Sequence, residues 1–143
     1  MKSTPPENCA VSREELFQFL AETPFARIYN VVLQSFEVGE CTLIIPFDES
    51  LERPGGIVAG SVLMTAADVA MWLAIMTKLG TEVMAVTTEI STNFLRSAKR
   101  EEVHCTARVV KFGKSLIFGV AECVNPAGKR LAHHTITYIR LDK

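Results

Sequence analysis

The chain has 143 residues, of which 48% are hydrophobic and 22% are charged. This length and composition predict one globular domain with one sizeable core and exclude a disordered chain. The 15 basic and 16 acidic residues nearly cancel, so general nucleic-acid binding, which needs a basic excess, is not expected.

We place that domain over residues 1–143, with residues 1–11 as a flexible N-terminal arm. Residues 1–8 are polar and proline-bearing and lack the charged and apolar segments of a secretory signal. The cysteines lie far apart, without a metal-binding or redox spacing, and are expected to be reduced thiols. These features predict a cytoplasmic protein. The cysteines are Cys9, Cys41, Cys105 and Cys123.

The first part of the chain predicts a short helix followed by a hairpin. A capping-box pattern begins the helix at Ser12, and the Thr-Pro step at Pro24 ends it. Residues 27–38 and 41–47 are rich in β-branched and aromatic side chains and predict two strands. Residues 48–56 form a polar loop with proline and glycine.

A long apolar helix is predicted over residues 59–79, with Gly80 as its C-terminal stop. Its length is also typical of a transmembrane segment. Against a membrane location, the segment contains Ser61, Thr65 and Asp68, and a carboxylate near the middle of a bilayer costs about 3 kcal/mol. The amphipathic segments that follow also need a core to pack on, so we expect a core helix and no membrane contact.

Four amphipathic segments follow this helix and predict four consecutive strands. An α+β fold is therefore expected, in which a curved, largely antiparallel sheet wraps around one long central helix. The predicted strands are residues 83–95, 101–112, 115–124 and 129–140.

A polar stripe runs along the predicted central helix. Ser61, Thr65 and Asp68 follow i, i+4, i+7 spacing and share one face. Such a stripe suits a cleft, a subunit contact or a ligand, and Asp68 is a candidate general base or nucleophile. The alternative is a buried carboxylate that is hydrogen-bonded to hold the helix to the sheet. The residues alone leave both open.

Gly60 lies in the first turn of that helix. Free amides at a helix N-terminus hold anions or polarise a carbonyl oxygen. The alternative is that the glycine only permits a tight turn or close packing.

The segment GGIVAGSVLMTAAD, with the later NFLRSAKREE, VVKFGKS and NPAGKRLAHHTITYIR, resembles the hotdog-fold acyl-CoA thioesterases of the phenylacetate-degradation type. In that family a His-Gly-Gly motif opens the central helix, and an acidic residue follows nine positions after the His. Here Ala59, Gly60 and Ser61 occupy the motif, and Asp68 has the acidic position. The resemblance covers residues 27–141.

The resemblance implies hydrolysis of an acyl-CoA thioester to free acid and CoA, without a metal or cofactor. Asp68 matches the carboxylate that activates water or attacks the thioester, and Gly60 matches the glycine whose amide polarises the carbonyl. Thr87 matches a serine or threonine that positions the water, with Thr88 one register step away as the alternative. Family sites form between two subunits of a homodimer, and dimers often pair into tetramers.

Two positions depart from the family pattern. The motif His is Ala59, and a frequent Asn is Arg53, which either contacts the thioester or a phosphate or is a solvated loop residue. Arg96, Lys99 and Arg100 form a basic patch that either binds the phosphates of CoA or belongs to a solvated turn. The expected substrate-binding residues are Arg53, Ser61, Thr65, Thr88, Arg96, Lys99 and Arg100.

Two other functions fit the same fold. The altered motif favours a non-catalytic module that binds or senses acyl-CoA or fatty-acyl groups, whereas retention of Asp68 argues against it. A dehydratase is less favoured because such sites use a His beside the carboxylate. The three histidines are expected to be satisfied, half-buried side chains and not metal ligands: His104, His133 and His134.

Overall fold

A computed structural model describes residue 6 and residues 8–142 of the chain. The order of elements is two short helices, a hairpin, a long helix and four further strands. In chain order they are α1 (Arg13–Glu22), α2 (Pro24–Ile28), β1 (Val32–Glu37), β2 (Glu40–Ile45), β3 (Glu52–Arg53), β4 (Ile57–Val58), α3 (Gly60–Leu79), β5 (Ala85–Phe94), β6 (Val103–Phe112), β7 (Leu116–Val124) and β8 (Arg130–Arg140).

Six of the strands form one antiparallel sheet in the order β1-β2-β6-β7-β8-β5, while β3 and β4 pair separately. α3 contacts all six strands of the large sheet. The sequence therefore predicted the fold class correctly, and it predicted the order of the elements apart from α2 and the short strands β3 and β4.

α3 begins after Ala59 and ends at Gly80, whose positive φ of 90° suits glycine. Among the described residues it is the one helix long and apolar enough to cross a membrane, but 67% of its apolar window is buried inside the protein. The burial agrees with the expected core helix, since such a helix must be covered on most sides.

α2 was not predicted. The sequence suggested that residues 27–38 form a strand, but Arg27 and Ile28 complete a helical turn and β1 begins only at Val32. Pro24 occupies the first turn of α2, where its missing N–H is not needed and its fixed φ suits a helix.

Aromatic side chains attach these short helices to α3. Trp72 of α3 meets the ring of Phe19 edge-on at a centroid distance of 4.7 Å, and the ring of Phe25 lies nearly parallel at 6.3 Å. α1 and α2 therefore cover the part of α3 that lies one turn beyond Asp68, and Trp72 is a packing residue there.

The end of the expected N-terminal arm is anchored. Val11 is 1% exposed, and the amide of Ala10 donates to the carbonyl of Thr77 at 2.6 Å. The last two residues of the predicted arm therefore pack beside the core helix. Residues 1–5 and 7 of the predicted arm lie outside the described residues.

The two edges of the large sheet differ. At β1, the guanidinium of Arg13 donates to the carbonyls of Leu33 and Gln34 at 3.0 and 3.2 Å. At the opposite edge, β5 is ten residues long and is paired with β8 on one side only. The Arg13 side chain occupies backbone carbonyls at the β1 edge, whereas the β5 edge presents a long row of backbone groups that another strand could pair with.

Candidate active site

Asp68 is half-buried on α3 and faces the last two strands of the sheet. Its Oδ1 accepts hydrogen bonds from the hydroxyls of Thr87 and Tyr138, each at 2.7 Å. The Tyr138 hydroxyl is also 3.0 Å from the main-chain carbonyl oxygen of Asp68. The carboxylate therefore lies between a helix and two strands that come from distant parts of the chain.

Strand register brings the two hydroxyls together. β5 and β8 are neighbours, and Thr87 lies directly opposite Tyr138. The register then shifts, because Glu89 lies opposite Thr137 and Thr88 is the extra residue of a β-bulge. Facing residues of adjacent strands project to the same side of a sheet, and here that side carries α3.

The structure resolves the choice between the two neighbouring threonines. Thr87 points to Asp68, whereas Thr88 is exposed and donates to the carbonyl of Thr137 at 3.2 Å. Of the two threonines, Thr87 is therefore the one that contacts the carboxylate.

Tyr138 was not identified from the sequence. It is 4% exposed. Burial is the main reason why the pKa of Tyr138 lies well above its ordinary value, and the negative charge of Asp68 raises it further. The hydroxyl consequently keeps its proton and acts as a donor. The sequence did contain a signal for it: Tyr138 lies in the inward-facing row of a predicted strand, and a buried tyrosine hydroxyl needs a hydrogen-bond partner.

The second carboxylate oxygen of Asp68 remains available. Oδ2 has no hydrogen-bond partner among the described residues, and it is not one of their buried unsatisfied atoms, so it contacts solvent. One oxygen is held by two donors and the other is open to a reactant. A carboxylate in this arrangement is able to accept a proton or attack a carbonyl carbon.

Gly60 borders a separate cleft at the start of α3, with a volume of about 350 Å³. Ala59 is the N-cap and supplies no side-chain hydrogen bond, so the first amides of the helix are not capped by a side chain. Arg53 on β3 and Arg96 after β5 line the same cleft. It therefore combines cationic side chains with the positive end of a helix.

The other residues expected to bind substrate lie near Asp68 or near the cleft beside Gly60. Ser61 is exposed, and the Thr65 hydroxyl donates back to the carbonyl of Ser61 at 2.9 Å. Arg96 and Lys99 line a surface depression together with Asn125. These side chains are accessible to a ligand.

Arg100 is instead paired within the chain. Its guanidinium lies 2.8 Å from the carboxylate of Glu52 and 3.4 Å from that of Glu49, and it packs 5.1 Å from the ring centroid of Phe47. Its backbone φ of 51° is in the left-handed region. Arg100 thus connects the turn before β6 to the loop before β3.

Two of the three histidines have neighbouring side-chain partners. His134 is fully buried, with Thr92 Oγ1 at 2.8 Å and Cys123 Sγ at 3.6 Å from its two ring nitrogens. His104 is 2.5 Å from a carboxylate oxygen of Glu102. All four cysteines are free thiols. In the described part of the chain, no three His, Cys, Asp or Glu side chains are placed to hold a metal ion.

An antiparallel sheet wrapped around one central helix, with a carboxylate held on that helix, defines a hotdog-fold protein. The sequence profile of the Thioesterase superfamily matches residues 55–132, and the chain belongs to this family. The resemblance found in the sequence is thereby confirmed.

The chain is also similar to individual proteins. SSO1253 of Saccharolobus solfataricus, named as a candidate esterase, is 32% identical over 117 residues, which are 82% of this chain and 71% of that protein. The conserved protein PA5202 of Pseudomonas aeruginosa is 26% identical, with a TM-score of 0.81 over 87% of this chain and 98% of its own. Family and relatives support a hydrolase of the thioesterase or esterase type.

Two further solved structures share the fold. The PaaI protein from the phenylacetic acid degradation operon of E. coli has a TM-score of 0.82 at 19% identity, covering 90% of this chain and 92% of that chain. The thioesterase HI1161 of Haemophilus influenzae has a TM-score of 0.84 at 18% identity, covering 94% of each chain.

Proposed function

We propose that the chain hydrolyses an acyl-CoA thioester to a free acid and CoA without a metal ion. The observation that carries this proposal is the carboxylate of Asp68, held through Oδ1 by two hydroxyl donors and open at Oδ2. Membership of the Thioesterase superfamily supports the reaction type. The acyl-CoA substrate follows from the resemblance and from the basic side chains around the N-terminus of α3.

Asp68 acts in one of two ways. As a general base, Oδ2 takes a proton from water while the water oxygen adds to the thioester carbonyl. As a nucleophile, Oδ2 adds to that carbonyl itself and forms an anhydride that water then cleaves. In both cases the carbon–sulfur bond breaks, the sulfur leaves as thiolate and a proton is returned to it.

The amide of Gly60 stabilises the oxyanion that develops on the carbonyl oxygen. A preorganised donor at a helix N-terminus is suited to this task because the charge appears only as the reaction proceeds. Ala59 supplies this turn with backbone only, so the side-chain contacts of the family's usual His are absent.

A complete site requires two subunits. Gly60 and Asp68 are eight residues apart on α3, which is about 12 Å along the helix axis. One carbonyl group cannot contact both within a single chain, whereas a partner subunit supplies the missing half. The open edge of β5 carries Thr87 and offers the pairing surface for a homodimer, and dimers pair into tetramers in the family.

Arg96 and Lys99 bind the phosphates of CoA, and Arg53 contacts the thioester end from the cleft beside Gly60. Both charge and exposure support this assignment. Ser61, Thr65 and Thr88 line the path between the thioester end and the phosphate end of the substrate. The protein itself is proposed to act in the cytoplasm.

The test compares wild type with Asp68→Asn and with Asp142→Asn, a matched change outside the site. Hydrolysis across a panel of acyl-CoAs should fall by at least about 100-fold in Asp68→Asn and stay normal in Asp142→Asn, with or without a chelator. Acyl-CoA binding by calorimetry should persist in both variants. Normal turnover in Asp68→Asn overturns the proposal, and binding without turnover in wild type favours the acyl-CoA-binding module instead.

A further inference from the structure

Two hydroxyl groups converge on the same oxygen of Asp68. Thr87 Oγ1 and Tyr138 Oη each lie 2.7 Å from Oδ1. A carboxylate oxygen has two lone pairs in its plane, so two donors occupy its hydrogen-bonding capacity. Oδ1 is therefore saturated, whereas Oδ2 has no partner within the described part of the chain.

We propose that Tyr138 is a positioning residue of this site, which together with Thr87 fixes the carboxylate plane of Asp68 and makes Oδ2 the reacting oxygen. The inference rests on the proposed function of Asp68 and adds to it the choice of oxygen. Two donors from adjacent strands define the orientation of the carboxylate, which a single donor would leave free to swing.

The burial of Tyr138 supports this role. Its ring belongs to the core, and only its hydroxyl reaches the polar stripe of α3. That hydroxyl has one proton and two acceptors within reach, namely Oδ1 and the main-chain oxygen of Asp68. The ionised Oδ1 is the stronger acceptor, since hydrogen bonds to a charged oxygen are the stronger ones.

The β-bulge at Thr88 contributes to the geometry. The extra residue leaves Thr87 opposite Tyr138 and shifts the register of the rest of β5. A bulge of this kind re-aims a side chain at the end of a strand. The pair is thus a product of strand register, and neither hydroxyl is near Asp68 in the sequence.

The neighbours of Asp68 come from three elements. On α3, Thr65 and Trp72 share its helix face, while β5 contributes Thr87 and β8 contributes Tyr138. The raised pKa of Tyr138 keeps its hydroxyl protonated, so the tyrosine remains a hydrogen-bond donor.

The experiment uses Tyr138→Phe, with Tyr29→Phe as a matched control because Tyr29 is the other tyrosine of the chain and lies outside the site. Carbon-13 labelling of aspartate follows the carboxyl groups by NMR, and the signal missing in Asp68→Asn assigns Asp68. Loss of a donor to Oδ1 should shift the carboxyl signal of Asp68 at a fixed pH in Tyr138→Phe and leave it unchanged in Tyr29→Phe.

Kinetics supply a second readout. Turnover should fall about 10- to 100-fold in Tyr138→Phe with little change in KM. Should Tyr138→Phe fail to fold, Thr87→Val removes the other donor to Oδ1, and Thr87→Ser should restore both the turnover and the Asp68 signal.

The outcomes separate the two proposals. An unchanged Asp68 carboxyl signal in a folded Tyr138→Phe overturns the positioning role, whatever the activity. Normal turnover in Asp68→Asn overturns the catalytic assignment, and the NMR signal then reports only a structural hydrogen bond. A shifted Asp68 signal together with reduced turnover in Tyr138→Phe supports the inference.

Discussion

A β-carbon added to Gly60 would lie 3.0 Å from the ring of Phe94. The helical backbone of Gly60 does not itself need glycine, because its φ is not in the left-handed region. Glycine instead suits the close approach of β5, whose last residue packs over the start of α3. The exposed Phe94 ring is a flexible neighbour, so a small side chain at position 60 should be accommodated by a shift of the ring.

Gly60→Pro removes the N–H proposed to bind the oxyanion. Proline is favoured in the first turn of a helix, and Ala59 with φ −62° and ψ 141° has the conformation that suits a residue before proline. We expect turnover to fall about 100- to 1000-fold with a near-normal melting temperature. Gly60→Ala is the matched control, because it adds the same β-carbon but keeps the N–H. Equal losses in the two variants would assign Gly60 to packing alone.

A second prediction concerns the shared site. Gly60→Pro and Asp68→Asn homodimers should both be inactive, but a hybrid dimer has one intact site, made from Gly60 of one subunit and Asp68 of the other. After subunit exchange at equal concentrations, about a quarter of wild-type activity should return, because half of the dimers are hybrids with one active site each. Light scattering checks the dimer mass. Subunit exchange without recovery of activity would contradict a site shared between subunits.

The sequence predicted the elements that are set by local patterns. The capping box at Ser12, the apolar length of α3, the stop at Gly80 and the alternation of the later strands are all local signals, and the structure has each of them. α2 was missed because one helical turn is too short to show a period, and its aromatic residues also suit a strand.

The candidate site was only partly predictable for the same reason. The polar stripe identified Asp68, since helix spacing places its members on one face. The position of Tyr138 beside Asp68 depends on which strands are neighbours in the sheet. The contact of Thr87, and not Thr88, with Asp68 depends on a one-residue bulge. Strand order and bulges are tertiary properties, and the spacing of residues in one sequence does not reveal them. Pairing of Arg100 with Glu52 is likewise a contact between distant loops.

A third prediction separates the members of the basic patch. Changing Arg96 and Lys99 together to Ala should raise KM for acyl-CoA, most strongly at low salt, because phosphate contacts are screened by ions. Arg100→Ala should leave KM nearly unchanged and lower stability by less than about 1 kcal/mol, the range for exposed ion pairs. Steady-state kinetics at two ionic strengths and thermal melts measure both effects. A KM increase in Arg100→Ala equal to that of the double variant would return Arg100 to the binding site.

The fourth prediction concerns the end of α3, where Thr77 is fully buried. Its hydroxyl donates to the carbonyl of Ala74 at 2.5 Å and accepts from the amide of Gly39 in the β1–β2 turn at 2.7 Å. Thr77→Val keeps the shape but leaves the Gly39 N–H buried without a partner, which costs about 1–3 kcal/mol. Thr77→Ser retains the hydroxyl and should lose less.

Chemical denaturation of both variants measures this difference. Because Thr77 lies more than two turns beyond Asp68 on α3, turnover per folded molecule should remain normal in Thr77→Val. The contrast with Tyr138→Phe is informative, since both variants remove one buried hydroxyl, but only Tyr138→Phe should change turnover and the NMR signal of Asp68. A Thr77→Val protein as stable as Thr77→Ser would show that the Gly39 amide finds another acceptor when the turn relaxes.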